Sequence, residues 1–148
     1  MTTIAFAKKV LASDSRLTEK NFVWTDKCKK IWRLSDGSLF GSSGDNEAGL
    51  LLLDALKKNR KPNIPQDREM KAIHVRPDGK IYLFEGYIWD RWPEDYAAIG
   101  SGMKYALAAL RIGADAVTAV KAGIAMDVHS GGRVQVVRLR PKKKQCTT

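Results

Sequence analysis

Cysteine is scarce in this chain. Cys28 and Cys146 are its two cysteines, with no CxxC and no histidine pair beside them. That spacing offers neither a disulfide scaffold nor a zinc site, so the sequence calls for no metal and no cofactor. Long apolar runs are missing too. The densest stretch, Ala48 to Leu56, is too short to cross a membrane. Nor does the N-terminus resemble a signal peptide, because residues 1–7 reach Lys8-Lys9 before an apolar h-region forms. The expected compartment is therefore cytoplasmic. Acidic charge is also in short supply: 26 Lys plus Arg face 16 Asp plus Glu, a net charge of +10. Much of the excess crowds the C-terminus at Arg138, Arg140, Lys142, Lys143 and Lys144. A basic end after the last strand reads as a solvated tail, so nucleic acid is not the expected partner.

What is present is an ordinary globular pattern, 44% apolar and 28% charged over 148 residues. Short strand-like runs fill the first half: Thr2 to Ala7, Val10 to Asp14, Phe22 to Thr25, and Cys28 to Leu34. Ser38 to Ser42 pairs with the last of these across Ser35-Asp36-Gly37, a hairpin signal. Periodicity predicts a helix from Asp45 to about Asn59, with Ala48, Leu51, Leu52, Ala55 and Leu56 as its apolar face. Residues 61–66 form a loop. A second hairpin joins Ala72–Val75 to Lys80–Phe84 around Pro77-Asp78-Gly79, and Tyr87 to Trp92 adds a short strand or turn. Met103, Ala106, Leu107 and Leu110 share one face of a helix that Gly113 stops. Val117, Val120 and Ile124 mark another helix, and Arg133 to Leu139 closes as an alternating strand. Hairpins with interposed helices indicate an α+β layered sandwich. Nothing repeats and no linker intervenes, so residues 1–140 read as one domain followed by a basic tail, 141–148.

Several local motifs carry no chemistry by themselves. Gly41-Ser42-Ser43-Gly44 lacks the lysine of a phosphate-binding loop. Ile99-Gly100-Ser101-Gly102 is not a nucleophile elbow. Asp127, His129 and Ser130 are too close in sequence to converge as a triad, and His74 reads as structural.

Taken in order, the same segments resemble a known family. Thr2-Thr3-Ile4-Ala5-Phe6, Ala12-Ser13-Asp14-Ser15-Arg16-Leu17-Thr18 and Lys29-Lys30-Ile31 look like the opening of a proteasome β-type or HslV-like threonine peptidase. The likeness continues through Leu39-Phe40-Gly41-Ser42-Ser43-Gly44-Asp45, Ala98-Ile99-Gly100-Ser101-Gly102 and Asp127-Val128-His129-Ser130-Gly131-Gly132. The resemblance implies the four-layer αββα sandwich of N-terminal-nucleophile (Ntn) hydrolases. It also implies that Thr2, freed by loss of Met1, is nucleophile and, through its own amine, general base. A threonine hydroxyl needs such a base, and an α-amine with a pKa of about 8 suits neutral pH.

By the same resemblance Lys30 favours the alkoxide and Asp14 orients Lys30. Gly44 offers its backbone N–H to the oxyanion. Ser101, which also suits a helix cap, bonds the Thr2 amine, and Asp127 and Ser130 complete that network. Leu17, Cys28 and Ser42 line the first specificity pocket, although Cys28 equally suits a small core position. If Cys28 to Leu34 is one strand, Cys28 shares the inward face of Lys30 while Lys29 points away. The implied partners are peptide or unfolded protein, sister subunits in a homo-oligomeric ring, and a separate ATP-dependent unfoldase. The chain departs from the family in its short C-terminal end and in the loop around Pro62 to Arg68, where ring or unfoldase contacts fall. An Ntn amidohydrolase of small amides and a non-catalytic basic binding protein are the alternatives.

Overall fold

A computed structural model describes residues 1–86 and 88–140. The basic tail and Tyr87 lie outside the described residues.

Two strands open the chain, β1 (Ile4–Ala7) and β2 (Val10–Ser13), joined by a turn in which Lys8 and Lys9 both take positive φ. A ribbon of β3 (Leu17–Glu19) and β4 (Phe22–Thr25) follows. Then come β5 (Ile31–Arg33) and β6 (Leu39–Gly44), turned by Gly37 as the Asp-Gly signal requires. Helix α1 (Asn46–Lys57) is capped by Asp45, whose carboxylate accepts from Ala48 N–H at 2.8 Å. Strands β7 (Met70–Val75), β8 (Ile81–Phe84) and β9 (Trp89–Trp92) form a meander, and β10 (Ala97–Ile99) crosses back to β1. Helices α2 (Met103–Arg111) and α3 (Ala116–Met126) precede the last strand, β11 (Gln135–Arg138).

The main strands make two antiparallel sheets, ordered β10-β1-β2-β11 and β5-β6-β7-β8-β9. Strand alternation sorts their side chains into layers. Ile4, Phe6 and Leu11 face Ile31, Leu39, Ile73, Val75 and Ile81 to form the core between the sheets. Their neighbours Ala5, Ala7 and Ala12 point the other way, toward Ala106, Leu110, Ala116, Ala119 and Val120 of α2 and α3. Small residues on both surfaces let those helices approach closely. On the far side Phe40, Ala72 and Phe84 pack under Ala48, Leu52 and Leu53 of α1. The layers run helix, sheet, sheet, helix: an α+β αββα sandwich of the Ntn-hydrolase type.

Three expectations need correction. The strand expected from Cys28 begins only at Ile31, and residues 27–30 have no regular structure. On α1 the buried stripe is Ala48, Gly49, Leu52, Leu53 and Ala55, while Leu51 is 45% exposed. Four consecutive leucines, Leu50–Leu53, are more than one helical face accommodates, so two of them face outward. Strands β3 and β10 were not foreseen. Each is three residues long, too short for a periodic signal.

Candidate active site

Antiparallel pairing brings several strand ends to one edge of the sandwich. Thr2 stands just before β1 and Asp14 just after β2, and these neighbours run in opposite directions. The end of β10 pairs with the start of β1, which puts Gly100 and Ser101 beside Thr2. Likewise Lys30 precedes β5 where Gly44 ends β6. The polar residues that collect there are buried: Thr2, Thr3, Asp14, Lys30, Asp127 and Ser130 are each under 9% exposed.

Lys30 is the centre of this cluster. Its Nζ donates to Thr2 Oγ1 at 3.0 Å, Asp14 Oδ1 at 2.9 Å, Arg16 O at 2.5 Å and Met1 O at 3.2 Å. Burial pushes the Lys30 ammonium below the usual lysine range, opposed chiefly by the Asp14 carboxylate. Asp14, fully buried, is itself held at both oxygens: Oδ1 also accepts from Thr3 N–H, and Oδ2 accepts from the N–H groups of Arg16 and Gly131. A buried carboxylate with this many donors is positioned rather than merely paired.

A second network reaches the nitrogen of the same threonine. Thr2 N–H donates to Ser101 Oγ at 3.1 Å. Ser101 Oγ donates to Asp127 Oδ2 at 2.5 Å, and Ser130 Oγ donates to that oxygen at 2.7 Å. Thr3 Oγ1 in turn lies 2.7 Å from Ser130 Oγ. Burial raises the Asp127 carboxyl, yet the bonds from Ser101 and Ser130 outweigh it and hold the group below the usual carboxylate range. Burial, and then Lys30, lowers the amine of Met1.

Two glycines set the backbone here. Gly100 has φ +100°, and a Cβ there would meet Thr2 O at 2.0 Å. Gly44, at φ +91°, would place a Cβ 2.6 Å from Glu69 O. Thr2, Gly44 and Ser101 share the lining of a cavity of about 570 Å³ with Arg68, Met70 and Lys71. These last three were missed by sequence reasoning. They arrive through the pairing of Gly44 with Met70, a contact that no local motif announces.

The structure thus brings Thr2, Asp14, Lys30, Gly44, Ser101, Asp127 and Ser130 together. The three expected pocket residues are not part of that cavity's lining. Leu17 is half-buried on β3. Ser42 faces α1, where a Cβ on Gly49 would sit 2.3 Å from its Oγ. Cys28 is half-buried in the irregular segment, so strand alternation does not assign its direction. Lys29 is exposed and stacks over Trp32, 5.7 Å from the ring centroid.

Solved structures superpose on nearly the whole of this four-layer sandwich. HslV from Trypanosoma brucei matches with a TM-score of 0.75 at 21% identity, covering 92% of this chain and 98% of its own. Thiobacillus denitrificans BPH in complex with epoxomicin matches with a TM-score of 0.65 at 23% identity, covering 95% and 99%. A second structure of Thiobacillus denitrificans BPH matches with a TM-score of 0.64 at 21% identity, covering 95% and 98%. No protein-family model matches the chain, and no curated protein does. The fold is therefore that of HslV.

Proposed function

We propose that the protein is an N-terminal threonine peptidase that cleaves peptide bonds through an acyl-enzyme ester. One observation carries the reading: Lys30 Nζ stands 3.0 Å from the Thr2 hydroxyl and 2.9 Å from Asp14 in a buried site. With Met1 attached, the Thr2 nitrogen is an amide and no base. Once Met1 is lost, the nitrogen becomes an amine held by Ser101, and the neighbouring Lys30 charge disfavours its protonated form. That amine takes the hydroxyl proton as Oγ1 attacks the substrate carbonyl, while Lys30 stabilises the developing alkoxide. The Gly44 N–H stabilises the tetrahedral oxyanion. Collapse gives the ester and expels the amine product, which carries away the proton held by the Thr2 ammonium. Water, activated by the same amine, then hydrolyses the ester. Ser101, Asp127 and Ser130 keep the amine's lone pair aimed at the hydroxyl.

Peptide or unfolded protein is the substrate, and the working form is a homo-oligomeric ring in the cytoplasm, fed by a separate unfoldase. Exposed Phe22, Val23, Trp24, Leu50 and Leu51 support self-association.

Epoxomicin tests the chemistry, because the BPH structure contains it. Intact-mass measurement is expected to show processed protein gaining the inhibitor's mass at Thr2, and Thr2→Ala gaining none. Equal labelling of protein shown by mass to retain Met1 would rule out the free amine as base.

A further inference from the structure

Asp14 follows a strand of one sheet and Lys30 precedes a strand of the other, and the segment that delivers Lys30 has no regular structure. Two backbone bonds anchor that segment: Cys28 N–H to Ser15 O at 2.9 Å and Ser42 N–H to Lys30 O at 3.3 Å. A third tie comes from a side chain on neither strand. Gln135, half-buried on β11 opposite Ser13, donates from Nε2 to Cys28 O, to Ser15 Oγ at 3.0 Å and to Asp14 O at 3.5 Å. The orientation of its amide follows from its partners. The two carbonyls only accept, and Ser15 spends its single hydroxyl proton on Arg133 O. Only the NH₂ end of Gln135 can serve these acceptors: its two hydrogens go to Cys28 O and Ser15 Oγ, with Asp14 O at the outer limit of hydrogen-bond reach.

We propose that Gln135 is a positioning residue, whose amide fastens the Lys30-bearing segment to the Asp14-bearing turn and so fixes the ammonium against Thr2. The role rests on the peptidase reading only for its catalytic consequence. Gln135 does not line the Thr2 cavity, so it acts through Lys30 and not on substrate. A misplacement of 1 Å costs about 100-fold in rate, so partial loosening of the segment costs about tenfold.

Gln135→Met keeps length and shape but has no donor. Gln135→Glu keeps the shape, loses both donors and turns a carboxylate toward the Cys28 carbonyl. Val136→Thr, at an exposed neighbour on the same strand, is the control. In processed protein, kcat for a fluorogenic peptide is expected to fall about tenfold in Gln135→Met and further in Gln135→Glu, with KM near wild type. NMR of [13C]lysine-labelled protein follows Lys30 itself. The titratable groups around it are Asp14, Asp26, Asp127, Cys28 and the N-terminal amine. Its titration in Gln135→Met is expected to move up toward that of free lysine, because a loosened segment readmits water and burial is the main cause of its depression.

Lys30 titration and kcat both equal to wild type in a folded Gln135→Met protein would overturn the proposal. If one variant fails to fold, the other carries the same comparison. A wild-type protein that never reacts with epoxomicin sinks the peptidase reading, and the Lys30 titration then decides alone whether Gln135 holds the ammonium.

Discussion

Lys30 is buried and His74 half-buried, and the fold treats them in opposite ways. Lys30 lies where strands end, meets four oxygen acceptors, and shares its carboxylate partner with three backbone N–H groups. His74 lies within β7, paired to strands on both sides, its ring 5.6 Å from that of Trp89. Its Nε2 is the one buried side-chain polar atom with no hydrogen-bond partner among the described residues. Burial drives both groups toward their neutral forms. At Lys30 an ordered polar network opposes that drive; at His74 Asp36 opposes it only from a distance, and Arg76 reinforces it. The loop end before β5 therefore holds a charge poised for chemistry, while the doubly paired strand holds an aromatic filler that happens to titrate.

Removing the poised charge is the strongest way to break the comparison. Lys30→Ala is expected to lower peptide hydrolysis by about 100-fold or more. The chain should stay folded, because three backbone N–H groups still hold Asp14. Lys29→Ala, at an exposed residue stacked on Trp32, should hydrolyse peptide at nearly the wild-type rate. A steady-state assay with circular dichroism on both variants checks this. Equal loss from the two would show that proximity to Thr2 is not what makes Lys30 matter.

A smaller effect is expected from backbone crowding at the same edge. Gly100→Ala puts a methyl group into Thr2 O at positive φ, and should cost about 3 kcal/mol of stability along with most of the epoxomicin reactivity. Gly37 also has positive φ, but a Cβ there meets nothing within 4 Å. Gly37→Ala should cost about 1–2 kcal/mol and leave reactivity intact. Denaturant titration separates the two. Equal costs would mean that the close approach to Thr2 is not under tension.

These positions also show what the sequence makes legible. Hairpins at Gly37 and Gly79, the stop at Gly113 and the three helices follow from turn chemistry and periodicity, which act within a few residues. The cluster around Thr2 was read from family resemblance, since Thr2 and Ser101 stand 99 residues apart and no spacing rule joins them. What escaped notice depends on tertiary register. Gln135 reaches Cys28 across 107 residues, and Met70 meets the cavity only because β7 pairs with β6 at Gly44. Cys28 was assigned a direction by strand alternation, and that rule has no force in a segment that is not a strand. Leu51 was placed inside because it is apolar, whereas packing has room for only half of its leucine run.

The smallest expected effect sharpens the other half of the comparison. His74→Phe keeps an aromatic ring against Trp89 and removes the unpartnered Nε2, so at pH 7 it should raise unfolding free energy by about 1 kcal/mol. Its pH dependence is the more telling readout. Burial holds the folded-state pKa of His74 below the ordinary value of 6.5, so on acidification the unfolded chain takes up a proton before the folded one does. Stability is then unaffected by His74 above pH 6.5 and is lost as pH falls from there toward the folded-state pKa, by up to about 1.4 kcal/mol per pH unit. His74→Phe lacks that proton uptake. Asp127, whose carboxyl is held low by Ser101 and Ser130 far from His74, titrates in both proteins and cancels in the difference. Urea unfolding at pH 8, 7, 6 and 5 should therefore show the variant's advantage constant down to about pH 6.5 and widening below it. Parallel curves across the whole range would mean that His74 takes up its proton as easily folded as unfolded, and that its burial is not what separates it from Lys30.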